Sequence, residues 1–400
     1  MAKVKLGSPI KQYRDGDVQY VTLVITEKCN MRCTYCYEVN KNSQNVMPRE
    51  VAYRAIDFFL GQPCRRSALV LEFIGGEPTL EMDLINDITR YFNKAVSHLK
   101  NHPWRTAHVF LIGTNGTTYR SKEVQNYLWE NRYHANVLIT IDGTKRKHDM
   151  HRVFKNGEGS YDIVAENVKL WIRQYPFSST KVTFASGDLP YLCESIIHLW
   201  EIGIKSVPAN VVFENVWKPG DPEILESQLR ELTDISLERD YWKTCNTTLF
   251  YVPRLGEKSP DQNWCGTGKM VAVDSAGNLY PCLRFMHFSM ANSERRPRDV
   301  GTIYDGFDQD KLRTYHCLLK SLQSPKECLE CDMEDHCSWC SAHNYDSADS
   351  DTVFQRQTFI CDMHKARSRA NQYYWQQLKQ KHGIGPEDVE DFTVKSCGYY

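Results

Sequence analysis

As far as Phe213, short apolar runs alternate with longer stretches whose apolar positions recur at the 3.6-residue period of a helix. Tyr20 to Ile25, Ala68 to Phe73, His108 to Gly113, Ala135 to Ile141, Lys181 to Ala185 and Val207 to Phe213 read as strands. Arg49 to Gly61, Met82 to Lys100, Ser121 to Asn131, Tyr161 to Arg173 and Leu189 to Ile202 read as the helices between them. This repeating strand-then-helix order is the habit of a parallel α/β fold and is too regular for an all-α or sandwich fold. A partial (β/α)6 TIM-like barrel and an open, doubly wound sheet both satisfy it. Beyond Phe213 the pattern changes. A turn at Lys218-Pro-Gly-Asp-Pro leads into a helical segment from Pro222 to about Asp240. A region short of apolar runs follows, then a helix from Ala366 to Lys381 and a polar tail.

The 400 residues include 41% apolar and 25% charged side chains, with 49 Lys and Arg against 50 Asp and Glu. That composition buries a core, excludes disorder and collagen-like structure, and gives no overall attraction for nucleic acid. No run of 18 apolar residues is present, so no membrane span is expected. The first residues lack a signal-peptide pattern, which points to the cytoplasm. Fifteen cysteines stand out, and eight of them (Cys265, Cys282, Cys317, Cys328, Cys331, Cys337, Cys340, Cys361) cluster near the C-terminus. In a reducing compartment such a density points to metal ligation or redox chemistry before disulfides. A region unable to build its own core is then stapled by metal. Cys64, Cys193 and Cys397 read as unliganded thiols.

Directly after the first strand stands Cys29-x-x-x-Cys33-x-x-Cys36. It lies at the C-terminal end of a strand, where parallel α/β folds place their active sites. Three thiolates can hold three irons of a cubane and leave the fourth open to a small molecule, whereas structural zinc favours four protein ligands. Gly75-Gly76-Glu77-Pro78 ends the second strand, with two glycines that allow close backbone approach and a carboxylate that can accept from an ammonium. The third strand ends in Thr114-Asn115-Gly116, the fourth in Thr140-Ile141-Asp142-Gly143. Lys145 and Lys147 read as a solvated basic loop, and Arg152 as a clamp for a carboxylate.

Together these motifs resemble those of the radical S-adenosylmethionine (SAM) superfamily. The resemblance implies a [4Fe-4S] cluster on Cys29, Cys33 and Cys36, and SAM contacts at Tyr35, Gly76, Glu77, Asn115, Thr140, Arg152 and Phe213. The cluster would reduce SAM to a hydrogen-abstracting 5′-deoxyadenosyl radical, with electrons from a donor such as flavodoxin or ferredoxin. In the C-terminal region, Cys265 and Cys282 flank an expected hairpin with its turn at Asp274 to Gly277. Cys328-x-x-Cys331, Cys337-x-x-Cys340 and Cys361 follow. This order is similar to the SPASM extension of peptide-modifying radical SAM enzymes, which implies two auxiliary [4Fe-4S] clusters and three in all. By position Cys328, Cys331, Cys337 and Cys361 would hold the outer one, and Cys265, Cys282 and Cys340 the inner one. The family has three residues between the fifth and sixth cysteines, against two here. The inner cluster's fourth ligand stays open among Cys245, Cys317 and a substrate thiol.

The expected organisation is an N-terminal extension (1–19), a radical SAM partial barrel with a linker helix (20–240), a small cysteine-rich SPASM domain (241–365) and a C-terminal helix and tail (366–400). Sulfatase-maturing members carry an aspartate base directly after the cysteine matching Cys282, whereas Leu283 stands here. The stretch Tyr280-Pro-Cys-Leu-Arg-Phe285 is closest to thioether-forming maturases of Cys-x-x-x repeat precursor peptides, of ranthipeptide or sactipeptide type. Formylglycine formation and carbon-carbon cross-linking are the alternatives within the superfamily, and a zinc-stapled, non-catalytic adaptor the alternative outside it. Too few residues precede the first strand for a winged-helix leader-binding module, so leader recognition is expected elsewhere or in a separate protein.

Overall fold

The computed structural model describes residues 17–63, 66–250, 261, 265, 267–334, 337–385 and 388. In chain order its main elements are β1 (Val18–Thr26), α1 (Arg49–Gly61), β2 (Ala68–Gly75), α2 (Met82–Ser97), β3 (His108–Thr114), α3 (Lys122–Glu130), β4 (Ala135–Ile139), α4 (Lys145–His151) and α5 (Tyr161–Gln174). There follow β5 (Val182–Phe184), α6 (Leu192–Glu201), β6 (Ala209–Val211), α7 (Asp221–Glu238), β7 (Val271–Val273), β8 (Leu279–Tyr280), α8 (Gln309–His316), α9 (Ser341–Asp346) and α10 (Cys361–His382). The fold is α/β, with parallel strands and helical crossovers. Two compact units result, and neither follows the linear order of the chain: residues 1–140, 151–176 and 266–317 form the first, and 141–150, 177–265 and 318–400 the second.

In the first unit a six-stranded sheet runs in the order β8-β7-β1-β2-β3-β4. Strands β1 to β4 are mutually parallel, with Leu23 opposite Phe73, Phe73 opposite Ile112, and Thr114 opposite Ile139. The first six residues of β2 are all buried, as a parallel strand covered on both faces requires. The α2 helix lays Leu84, Ile85, Ile88, Phe92 and Val96 against the core. Because the strands are parallel and in register, their C-terminal ends reach one edge together, which is what assembles the motifs.

The hairpin expected to open a separate cysteine domain instead extends this sheet. Val271 pairs with Val21 and Val273 with Leu23, parallel to β1, and β8 returns antiparallel. Asp274 closes the turn by accepting from the main-chain N–H of Ala276 and of Asn278, and Gly277 takes the positive φ the turn needs. Short β-branched strands with a turn were legible in sequence. Their pairing with β1 was not, because it spans about 250 intervening residues.

In the second unit β5 and β6 pair in parallel as a separate two-stranded sheet, Val182 opposite Ala209. The run read as one strand from Val207 to Phe213 is broken at Pro208, which has no N–H to give a ladder. Ser206–Val207 pairs with Asn246–Thr247, and Phe213 lies half-buried beyond β6. Helices α7 and α10 are tied by Arg369 to Glu226 (2.5 Å) and Tyr373 to Asp234 (2.8 Å). Cys193 is buried on α6. Cys64 and Cys397 lie outside the described residues.

Of the two lysines read as a solvated basic loop, Lys145 is exposed and Lys147 is not. Residues 145–151 are the helix α4, and Lys147 is fully buried. Its ammonium lies 3.4 Å from carboxylate oxygens of both Asp142 and Asp188 and donates to the carbonyl of Thr183 (2.6 Å). Its charge also sits over the Phe184 ring. A charge enters the interior only when it is paired and hydrogen-bonded, and here the two partners come from loops that the local pattern treats as unrelated. Lys147→Met leaves two buried carboxylates uncompensated and is expected to cost about 3–5 kcal/mol. Urea unfolding measures this, and adding Asp142→Asn and Asp188→Asn is expected to recover most of it.

Candidate functional site

The C-terminal edge of β1 to β4 gathers the N-terminal motifs. Past Thr26 the chain enters the three-cysteine loop, which is fastened to the segment 151–154 by main-chain hydrogen bonds from Arg32 to Val153 (2.8 Å) and from Thr34 to His151 (3.0 Å). A bridge between Met31 and Phe154 adds to this. The Thr34 hydroxyl meets Nδ1 of His151 at 2.7 Å, and the Tyr35 ring tilts against the His151 ring at 5.3 Å. Arg152 is buried, and its guanidinium donates to the Tyr35 hydroxyl (3.0 Å). Tyr35 and Arg152 are thus one connected pair.

Cys29 is buried, and burial pushes its thiol up to about 11, with the Met31 N–H and the Lys41 charge pulling the other way. Lys41 donates to the Cys36 sulfur at 3.5 Å. Burial opposes the charge of Lys41, and the nearby Cys36, Cys29 and Glu38 outweigh it, so its ammonium is held above the usual range. Three thiols in one loop with a fixed cation beside them suit an anionic iron-sulfur centre. Among the described residues no three His, Cys, Asp or Glu side chains are drawn together at metal-coordinating spacing.

The two glycines before Glu77 allow a close approach within the chain itself. Gly75 takes φ +142°, and a Cβ there would lie 1.8 Å from the Thr26 carbonyl oxygen; one on Gly76 would lie 2.5 Å from that of Lys28. Gly76 and Glu77 donate their N–H groups to Thr26 (2.9 Å) and Lys28 (2.8 Å). The glycines therefore let the end of β2 lie directly on the backbone that carries Cys29. Glu77 is fully buried, and its carboxylate accepts from the Thr79 N–H (3.1 Å) and hydroxyl (2.5 Å), the Thr114 hydroxyl (2.7 Å) and the Asn115 N–H (2.7 Å). Desolvation raises its pKa against the pull of these donors. Three of these donors meet Oε1 and only the Asn115 N–H meets Oε2, so the carboxylate binds β2 to β3 and keeps an acceptor position on Oε2.

Asn115 donates to Asn30 in the cysteine loop (2.8 Å) and accepts from Thr117 (3.0 Å). Thr140 donates its N–H to the Thr114 carbonyl (3.1 Å). Residues that sequence reasoning passed over complete the setting. Glu27, Glu38 and Lys41 carry no motif, but the short distance of each from a cysteine was a signal.

In the second unit, burial pushes Cys337 up to about 11, with Arg356 opposing and Cys361, Cys331 and Cys328 reinforcing. Burial is also the main cause of the raised Cys328 and Cys361; both sense Arg356, Cys328 senses Cys331, and Cys361 senses Cys328. These four thiols form one electrostatic neighbourhood. Arg356 lies over the Trp339 ring at 4.1 Å and donates to Ser324 (2.8 Å). Cys265 approaches Ser341 at 3.7 Å, and Cys340 accepts from the His343 N–H at 3.4 Å. In the first unit Cys282 is half-buried after β8, and Cys317 is exposed after α8. Cys245 contacts the Thr244 hydroxyl at 3.6 Å.

Residues 23–184 match the family model of the Radical SAM superfamily. This chain carries a radical SAM domain. That domain implies SAM and a [4Fe-4S] cluster, and the three-cysteine loop with its cation and glycine contact fits them. An uncharacterized protein of Methanocaldococcus jannaschii is 28% identical over 271 residues, 67% of this chain and 85% of the relative. A cysteine-type anaerobic sulfatase-maturating enzyme of Clostridium novyi is 28% identical over 151 residues, 36% of this chain and 38% of the enzyme. Among solved structures, native anSMEcpe with bound AdoMet aligns with a TM-score of 0.69 at 20% identity, covering 91% of this chain and 98% of its own. Streptococcus suis SuiB bound to precursor peptide SuiA aligns at 0.57 and 14% identity, covering 86% and 76%. At those identities the likeness is one of fold. Among the described residues no helix is long and apolar enough to cross a membrane.

The glycine contact generates a test. Gly75→Ala is expected to destabilise the first unit by roughly 3 kcal/mol and to lower iron and sulfide uptake, read by urea unfolding and by iron assay after anaerobic reconstitution. Gly61→Ala, where nothing lies within 4 Å of the added Cβ, is expected to leave both unchanged.

Proposed function

We propose that the chain is a radical SAM peptide maturase that installs thioether links, cysteine sulfur to carbon, in a ribosomally made precursor peptide. The observation that carries this reading is the pairing of a radical SAM domain with a second cysteine set, of which Cys328, Cys331, Cys337 and Cys361 share one electrostatic neighbourhood. Cys29, Cys33 and Cys36 would hold the SAM-binding cluster. Cys328, Cys331, Cys337 and Cys361 would hold an outer auxiliary cluster, and Cys265, Cys282 and Cys340 an inner one, with Cys245, Cys317 or a substrate thiol completing it. Bound in the domain, cluster and SAM supply one-electron cleavage and a hydrogen-abstracting radical.

The chain's own residues then orient and enclose. Gly76, Asn115 and Thr140 present main-chain and amide groups at the strand ends, and the Arg152 guanidinium supplies a carboxylate clamp braced by Tyr35. Phe213 is assigned to the adenosyl moiety. Glu77, which ties the strand ends together, is assigned to the SAM amino group through Oε2, where it accepts only from the Asn115 N–H. Leu283, after Cys282, offers no proton acceptor, which favours thioether formation over formylglycine formation. Each link would remove the thiol hydrogen and one carbon-bound hydrogen, with SAM and an auxiliary cluster held by the C-terminal cysteines as the electron acceptors. A flavodoxin or ferredoxin would supply the reducing electron.

Reconstituted protein is expected to hold about twelve irons per chain and to cleave SAM to methionine and 5′-deoxyadenosine. Cys29→Ser is expected to abolish that cleavage. A peptide with repeated Cys-x-x-x motifs should lose two hydrogens per link and resist alkylation by mass spectrometry. A formylglycine product from a sulfatase-type peptide would overturn the thioether assignment, and zinc in place of iron would overturn the enzyme reading.

A further inference from the structure

Beside the C-terminal cysteines, one buried amide has all its hydrogen bonds and another has only half. Gln323, 3% exposed, donates from Nε2 to the carbonyls of Leu318 (3.1 Å) and Leu319 (3.3 Å). Its Oε1 accepts from the indole N–H of Trp339 (3.2 Å) and from the hydroxyl of Ser341 (3.4 Å). Gln323 therefore fixes the residues on both sides of Cys340. Ser341 is fully buried, and its hydroxyl lies 3.7 Å from the Cys265 sulfur. Two of the cysteines assigned to the inner cluster, Cys265 and Cys340, thus come to either side of Ser341.

Asn344 belongs to the same short helix, α9. Residues three and four apart share a helix face, so Asn344 stands on the face that carries Ser341 and Cys340. Its N–H donates to the Cys340 carbonyl (2.9 Å). The residue is buried, and its Oδ1 accepts from the Gln357 N–H (3.3 Å). That contact fixes which way the amide is turned, because Nδ2 cannot accept. Nδ2 faces away from it and has no hydrogen-bond partner among the described residues. A buried donor without an acceptor is costly, and in a native site it marks the place where a bound group brings the acceptor. The acceptors of a [4Fe-4S] cluster are its sulfides and thiolate sulfurs, and hydrogen bonds to these sulfurs help to set its potential.

We propose that Asn344 donates from Nδ2 to a sulfur of the inner auxiliary cluster, the one assigned to Cys265 and Cys340, and thereby raises its reduction potential. The proposal rests on reading the C-terminal cysteines as ligands of auxiliary clusters, and on nothing about the peptide. Reduction adds one negative charge to the cluster, so a donor stabilises the reduced form more than the oxidised form. Removing the donor makes the cluster harder to reduce.

The test uses the full chain, reconstituted anaerobically, with iron and zinc assayed for every preparation. A redox titration followed by electron paramagnetic resonance reads the midpoint of each cluster, and the SAM-binding cluster is the one whose signal changes when SAM is added. Asn344→Leu keeps the volume and loses the donor. It is expected to lower the midpoint of one auxiliary cluster and to leave the other two midpoints at their wild-type values. Asn344→Asp, which also sets a carboxylate there, is expected to lower that same midpoint further. An unchanged or raised midpoint at full iron content, or an equal shift of all three, overturns the proposal. If the leucine variant does not retain its iron, Asn344→Ala and Asn344→Asp are read by the same titration, with the same outcomes for and against. Wild-type protein with about four irons per chain, or with zinc, would defeat the auxiliary-cluster reading itself, whereas about twelve irons with unaltered midpoints in the variants removes only the role of Asn344.

Discussion

Where β2 leaves the sheet, its main chain lies against the main chain that carries Cys29, close enough that a methyl group on Gly75 would overlap the Thr26 carbonyl oxygen. Much of the site follows from that approach. The N–H groups of Gly76 and Glu77 are satisfied by Thr26 and Lys28, so the cysteine loop starts from a fixed strand end. Glu77 is carried inward, where it gathers Thr79, Thr114 and Asn115. Asn115 in turn reaches back to Asn30, next to the first cysteine. A closed circuit of backbone and short side chains thus links β1, β2 and β3, and none of it depends on a long flexible side chain.

Electrostatics set the character of this site. Burial works against charge on Cys29, Glu38 and Glu77, and it is the largest influence on each of them. Lys41 is the counterweight, held protonated by the surrounding acceptors. A cluster with thiolate ligands and a zwitterionic, sulfonium-bearing ligand would enter surroundings in which one buried carboxylate oxygen, Oε2 of Glu38, has no hydrogen-bond partner among the described residues. The second unit repeats the scheme with Arg356, stacked on Trp339 and set among thiols that burial would otherwise keep neutral. In both places cations accompany a group of cysteines, Lys41 in one and Arg356 and Lys365 in the other, which is how a protein lowers the cost of concentrating negative charge.

Much of the site was legible in the chain because its signals are local. A three-cysteine loop after an apolar run, a Gly-Gly-Glu-Pro turn and an asparagine or threonine at the next strand ends are each read within a few residues, and parallel register brings strand ends together. The reading of Lys147 failed for the opposite reason. Its neighbours in sequence are basic and polar, and only the approach of Asp142 and Asp188 turns it into a buried cation. Pro208 was visible, but the split it causes depends on which strands compete for the flanking residues.

Periodicity and motif spacing by themselves determined the α/β class and the order of strands and helices through the first half, because these depend on contacts within a turn or a strand. Tertiary structure decided that the Val271 to Tyr280 hairpin completes the first sheet beside β1, since an open strand edge accepts a partner from any distance along the chain. It also decided which carboxylates near the cysteines are satisfied and which is not. Hydrogen-bond capacity is used up by whatever the fold brings close, and that count exists only once the chain is folded.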